Sequence, residues 1–487
     1  MNLRRTVEKM FCAGVVLAVA LGGALMAAPD DQKKTTTTPP VKTAPAPAKP
    51  APAVRPGVNQ PNTAHPPGGV HPPPGGNPPR PPVGEHRVYK PQGGEQARQL
   101  PGGRHEYRNP KTSRTVTTNA RDEVSRIEAP YGFAGDKMVI NRGPGGRRMV
   151  ETGRPGARVV SYGPHRGFVE RGTGRPGYIS RTYVVGGHSY ARVYRESHYE
   201  GRYGRATYYR YVPAVYYGPR FYAWAVTPWG VPVRYAWGGL AMPAPWFGFY
   251  RGYFTPESAY ASPALWLTDY LVAENLRLAY ENQQAAYAGQ APPPQPDVQP
   301  TEGSLSPQTK ALIAEEVREQ LAAERAAAAQ PTSSSSQQPA SGGEQLPPAL
   351  NQKFFVVSSN LDVTAAGQAC SLTPGDIIER KSDVGPDNTV AVEVVSSKPG
   401  DCAAPSATAV EFVQLQEMHN QFREQIDSGL KMLAENQAKG LPNGPAAGAR
   451  PVADGTADPD PSAEAQLVSR ETAAANVEAQ VGQGSGS

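Results

Sequence analysis

Several stretches of this 487-residue chain hold side chains at spacings that chemistry could use. GTGRPG (172–177) matches G-x-G-x-x-G, whose glycines let a backbone approach a pyrophosphate at the start of a helix. Here Pro176 and the strand-like YISRTYVV follow, so no helix can open there and no dinucleotide site is expected. GHSYA (187–191) has the outline of a nucleophile elbow. That motif needs its Ser between a strand and a helix, and Ser189 begins the return arm of a hairpin. Asp269 and Glu274 are carboxylates on the surface of an expected helix and read as solvated. The sequence contains no HExxH and no Cys/His set with zinc spacing, the arrangements that would hold a catalytic or structural metal. No catalytic residue, cofactor or metal is expected, and an enzyme is the lesser reading.

Cysteine carries a firmer signal. Of three cysteines, Cys12 lies in an N-terminal apolar run. Cys370 and Cys402 remain, an even number, as one disulfide in an oxidising compartment requires.

The third kind of chemistry is stacking beside positive charge. On the strand SYARVYR, Tyr190, Arg192 and Tyr194 share one face, because alternate strand residues point the same way. Tyr209 and Tyr211 share a face on YYRYV. Trp224, Trp229 and Trp237 follow within YYRYVPAVYYGPRFYAWAVTPWGVPVRYAWGG. Basic residues far outnumber acidic ones over 85–255, and acidic residues dominate 256–487. Such a pairing of arginines with aromatic rings suits an anionic or glycan-rich polymer. Two plainer readings compete: the rings build a core, and the acidic half of the chain screens the basic half.

Elements must position these groups. Pro (53) and Gly (51) are abundant and mean hydropathy is −0.51, which favours extended segments around smaller folded units. Residues 1–28 read as a signal peptide, with Arg4, Arg5 and Lys9 before FCAGVVLAVALGGALM and Ala27-Ala28 as a cleavage point; an uncleaved anchor is the alternative. Residues 29–84 read as a Pro-rich disordered linker, in which His65 and His71 make no metal site. The fold class expected is mainly β with disordered linkers: an antiparallel β-repeat region plus a small C-terminal SH3-like barrel with flanking helices. The basic β-repeat region, 85–255, contains hairpins at 114–127, 147–162 and 181–195, and TGRPG occurs twice, at 152–156 and 173–177. Its aromatic end, interrupted by prolines, reads as an extended cap on the sheet. A helix within 256–290 starts at Ser262-Pro263 and packs on the aromatic segment. A low-complexity linker, 291–345, holds a second helix (306–329) striped by Ile313, Val317 and Leu321. Residues 346–438 read as a small barrel plus a C-terminal helix, and 439–487 as a disordered tail.

SLTPGDIIER resembles the L-x-x-G-D turn of SH3-like barrels, including the bacterial SH3 modules of envelope proteins, over about 60 residues by the usual size of such a barrel. The ligand motifs of eukaryotic SH3 domains do not accompany it, so proline-peptide binding is not implied. With its PWG/WLTDYL segment, SPQTKALIAEEV helix and LQEMHNQ module, the chain is similar to a group of bacterial secreted and envelope proteins. That resemblance implies export and brings no activity.

The reading that follows is a non-enzymatic exported protein of the periplasm, cell surface or medium. Its partner would be peptidoglycan, an acidic polysaccharide or another envelope protein, not genomic nucleic acid. No transmembrane span is expected once the signal is cleaved. The alternative is an enzyme or accessory factor acting on envelope polysaccharide.

Overall fold

Alternation of apolar and polar residues over short runs, broken by glycine turns, produces eleven strands that pair strictly with their sequence neighbours. In the computed structural model these are β1 (Gln96–Leu100), β2 (Arg104–Asn109), β3 (Arg114–Thr118), β4 (Val124–Pro130), β5 (Lys137–Arg142), β6 (Arg148–Thr152), β7 (Val159–Gly163), β8 (Arg166–Gly172), β9 (Tyr178–Val185), β10 (His188–Gly201) and β11 (Gly204–Val212). They form one antiparallel sheet in chain order. The structure describes residues 88–483 apart from 101–102, 133–134, 144–147, 164, 203, 235–243, 287–303, 330–345 and 437–443. The signal and Pro-rich segments expected at 1–84 lie outside the described residues.

The duplicated TGRPG builds the same turn twice. Gly153 and Gly156 have φ of 87° and 87°, and Gly174 and Gly177 have 78° and 74°. In each copy the amide three residues after the Arg donates to the Arg carbonyl, at 2.9 Å (Ala157 to Arg154) and 3.2 Å (Tyr178 to Arg175). Positive φ costs glycine little and other residues much, so the motif sets chain reversals before β7 and β9. Gly186-Gly187, φ 58° and 79°, turns β9 into β10 in the same way.

The aromatic segment departs from the expected extended cap. After the short strand β12 (Val215–Tyr216), it folds into helices α1 (Pro219–Val226) and α2 (Pro245–Phe249). Each starts on a proline, whose missing N–H costs nothing at a first helical position. They pack on α3 (Pro263–Ala286) and α4 (Pro307–Ala328). Ser262 Oγ accepts from Leu265 N at 3.3 Å, and Ser306 Oγ accepts from Thr309 N at 3.1 Å, which satisfies a free amide at each helix start. Ile313, Val317 and Leu321 are all buried, so α4 is part of the core. Asp269, expected on a solvated face, is 1% exposed. It pairs with Lys310 at 2.8 Å and accepts from Glu257 N and Tyr260 Oη. Burial demanded those partners, and they come from residues outside its own helix.

The C-terminal module follows α5 (Pro348–Asn351). Strands β13 (Phe354–Val356), β16 (Ile377–Arg380), β17 (Thr389–Ser396) and β18 (Ser406–Glu411) form one sheet, and β14 (Leu361–Ala365) with β15 (Gln368–Leu372) a second. Among the described residues the ladders do not close into the expected barrel. The two-stranded sheet is instead tied to the rest by the Cys370–Cys402 disulfide and by Thr408 Oγ1 donating to Thr364 O at 3.0 Å. Helix α6 (Phe412–Asn436) buries Phe412, Leu415 and Met418 against this module. Further along, Phe422, Ile426, Leu430 and Leu433 face α3 and its neighbours.

The tail expected to be disordered is a correction. Strand β19 (Arg450–Pro451) pairs with β12, and α7 (Ala463–Gln483) lies along the long sheet. Ala463 and Leu467 join Val159, Val169 and Val184 in one cluster; Ala474 and Val481 join Val116, Ile127, Ile140 and Val150 in another. An Ala-rich composition hid a helix that docks through Leu467, Ala474 and Val481 and leaves Val468 exposed. Among the described residues no helix is long and apolar enough to cross a membrane.

Candidate functional site: a sheet with two covered faces and one open end

Strand alternation gives the sheet two faces, and different helices cover them. The face carrying Val150, Val159 and Val169 takes α7. The opposite face carries Phe168, Tyr183 and Tyr190 in one cross-strand row, since Phe168 pairs with Tyr183 and Tyr183 with Tyr190. Tyr194 pairs with Tyr211 on the same face, and there α6 docks.

That α6 interface is a charged interior. Arg181 is 2% exposed. Its Nε donates to Glu170 Oε2 at 2.9 Å, and its Nη1 and Nη2 donate to Glu417 at 2.6 and 2.8 Å. Its guanidinium also lies 4.1 Å from the centre of the Tyr194 ring. Tyr194 Oη accepts or shares a proton with Tyr183 Oη at 2.8 Å and donates to Glu424. Tyr211 Oη donates to Asp427 at 2.9 Å, and Arg423 Nη1 donates to Tyr211 O at 3.0 Å. Burial pushes the Tyr194 phenol well above its usual range, and the neighbouring Glu424 charge adds to the rise. Burial likewise raises Glu424 and, with Glu324 nearby, raises Asp427 strongly. Glu417 goes the other way: its partial burial would raise it, but Arg181 holds it below the ordinary carboxylate value. Burial, then Arg423 and Arg210, push His419 well below the usual imidazole range. Each carboxylate here is bonded to an arginine or a tyrosine. The chemistry this supports is stabilisation of a buried polar interface.

The α7 interface is also charged. Arg148 bonds both Glu471 and Glu478, the latter at 3.0 Å, and Arg142 reaches Glu478 at 2.9 Å. Ser161 Oγ donates to Glu471 at 2.6 Å, and Arg470 donates to Thr152 Oγ1 and Tyr131 Oη at 3.0 and 2.6 Å. Arg171 meets Asp460 at 2.6 Å, and Arg175 meets Asp454. The acidic half of the chain therefore neutralises part of the basic sheet.

The residues singled out for polymer binding fall into different environments. Tyr194 and Tyr211 are core. Tyr209 is half-buried, and its carbonyl accepts from Asn420 Nδ2 at 2.8 Å. Arg192 is half-buried, with Cζ 5.2 Å from the Tyr190 ring centre and Nη2 3.4 Å from Ser428 Oγ. Tyr190 is 41% exposed and stacks on Tyr183 with centroids 5.3 Å apart. Trp229 is buried and Trp224 half-buried, 6.2 Å apart between ring centres, in the helical core with α1. Trp237 lies outside the described residues. Cys370 and Cys402 are joined, with Cα atoms 5.0 Å apart.

Sequence reasoning missed the acidic stripe of α6. Glu417, Glu424 and Asp427 share one side of that helix by spacing, and no partner for them is visible until the sheet is assembled. It also missed the open end of the tyrosine-bearing face. Over β1–β5 that face carries Arg98, Arg104, Arg108, Arg126 and Lys137; Arg98, Arg108 and Lys137 are exposed. Glu128 accepts from Arg126 at 3.0 Å and meets Lys137 at 3.5 Å. Comparison with protein families, with curated proteins and with solved structures finds no match.

Proposed function

We propose that this protein is an exported, non-catalytic binding or scaffolding protein whose open sheet face takes an anionic or glycan-rich envelope polymer. The observation that carries the reading is the group of Arg98, Arg104, Arg108, Arg126 and Lys137 on the tyrosine-bearing face of β1–β5, beyond the part covered by α6. These cations are spread over four strands of one face, with Glu106 opposite Arg98 and Glu128 beside Arg126, so an extended polyanion lying on that face can meet several of them at once. Arginine provides the attraction, and Tyr190 is the ring left at the surface for stacking. Export is supported by the basic-then-apolar N-terminal sequence and by the Cys370–Cys402 bond, which persists in oxidising compartments.

The test uses the full chain. Retention on peptidoglycan, acidic polysaccharide and extracellular-type DNA is measured across ionic strength, with wild type beside a triple Arg98→Gln, Arg104→Gln, Arg108→Gln variant. Strong retention at low salt, lost as salt rises and reduced at least tenfold in the variant, is expected. Absence of retention by wild type at low salt, or equal retention by the variant, overturns the reading.

A further inference from the structure

The turn that suggested an SH3-like module contains a second polar cluster, next to β16 and β17. Asp376 and Lys398 are 0% and 4% exposed. Lys398 Nζ lies 2.5 Å from Asp376 Oδ1 and 3.3 Å from Asp401 Oδ2. The Asp401 carboxylate is itself fixed by Thr373 Oγ1, which donates to it at 2.5 Å. Thr373 N donates to the other Asp376 oxygen, Oδ2, at 2.8 Å. The Tyr253 ring covers the ammonium, with its centre 5.6 Å from Nζ, and Tyr253 Oη donates to Gly375 O at 2.8 Å. An amine and a carboxyl are thus held in contact in a buried site, with a second carboxyl against the amine and a backbone amide against the acyl oxygen.

We propose that Lys398 and Asp376 form an intramolecular isopeptide bond, with Asp401 carrying the proton. The Nζ–Cγ bond forms and the Cγ–Oδ1 bond breaks. Nitrogen sheds two protons, Asp401 passes them to Oδ1, and Oδ1 leaves as water. Oδ2 becomes the amide oxygen and keeps the Thr373 N–H, which stabilises the negative charge that develops there during attack. The ammonium and carboxylate together lose one water and become a neutral amide, so no oxidant or activating group is needed. Two effects favour the step. Fixing both groups replaces a bimolecular encounter with an effective concentration far above any in solution. Burial raises the Asp376 carboxyl above its ordinary range, towards the acid form an amine can attack. The bond would span the turn before β16 and the loop after β17, beside the disulfide at Cys402, and would lock the module twice.

The experiment is peptide mapping of the folded, exported full-length chain after reduction, because Cys370–Cys402 links the same region. The expected result is one branched species joining the segments that contain Asp376 and Lys398, lighter than their sum by one water. Lys398→Arg and Asp376→Ala should lose that species completely, and Asp401→Asn should slow its appearance at least tenfold. Separate Asp376 and Lys398 peptides of full mass from wild type, after prolonged incubation of the folded protein at neutral pH, overturn the proposal whatever the variants do. Formation at the wild-type rate in Asp401→Asn overturns the role given to Asp401.

Discussion

Arg181 shows how a single buried charge is tolerated. It bonds Glu170, whose side chain is 0% exposed, and Glu417, which is 31% exposed. Removing the cation leaves Glu170 buried with fewer partners, a change that costs about 3–5 kcal/mol. Arg181→Met should therefore lower unfolding free energy by about that amount, and adding Glu170→Gln should recover part of it. Equal denaturant midpoints for the two variants would contradict this. Asp427 gives a second prediction at the same scale. Its carboxyl is raised by burial first and Glu324 next, so the folded state binds a proton more readily than the unfolded state. Between the ordinary carboxylate value, about 3.9, and the raised folded value, stability falls as pH rises. Asp427→Asn removes that term while keeping an acceptor for Tyr211. Relative to wild type, the variant should therefore gain stability steadily from about pH 4 upward. Urea unfolding across pH tests it, and a pH-independent difference would sink it.

At the element scale the docking of α7 rests on a few side chains. Glu471 and Glu478 both bond Arg148, and Leu467 contributes to a small apolar cluster. Hydrogen bonds to charged groups contribute about 1.5–3 kcal/mol each. Glu471→Gln with Glu478→Gln should open α7 locally without unfolding the sheet, seen as faster amide exchange over 463–483. Exchange that stays at the wild-type rate would show that apolar contacts alone hold the helix. The β14–β15 hairpin depends on its disulfide in the same way. The bonded cysteines are 32 residues apart, and closing such a loop stabilises by about 3–4 kcal/mol in the chain-entropy model. Cys370→Ser with Cys402→Ser should lower the module's unfolding midpoint accordingly, and an unchanged midpoint would refute the estimate.

For the molecule as a whole, the eleven-stranded sheet is a folding partner of the acidic half. Its core residues lie on both faces: Val150, Val159 and Val169 under α7, and Tyr194 and Tyr211 under α6. Fully exposing such side chains costs about 1.5–3 kcal/mol each. Residues 88–216 expressed alone should therefore aggregate or unfold without cooperativity, and supplying 406–483 in trans should restore a cooperative transition. A stable, cooperatively folding 88–216 fragment would show that the sheet carries its own stability.

The sequence alone determined the hairpins, because a Gly-Gly turn, a duplicated TGRPG and strict alternation are local signals that tertiary packing has no reason to override. It also determined the cysteine pair, the starts of α3 and α4, and the charge division between the two halves. Tertiary structure alone decided which rings are core. Tyr190 and Tyr194 share a strand face, yet one is 41% exposed and the other 0%; Tyr194 lies under α6 and bonds Glu424, whereas Tyr190 stands close to the Gly186-Gly187 turn. It decided that Asp269 is an inward, paired carboxylate, since Lys310 comes from another helix. It turned the Ala-rich tail into a docked helix, since α7 has too few apolar residues to signal itself and gains its stability from arginines more than three hundred positions earlier, such as Arg148 for Glu471. Local patterns fix local conformation, whereas burial depends on which distant segment arrives to cover a face.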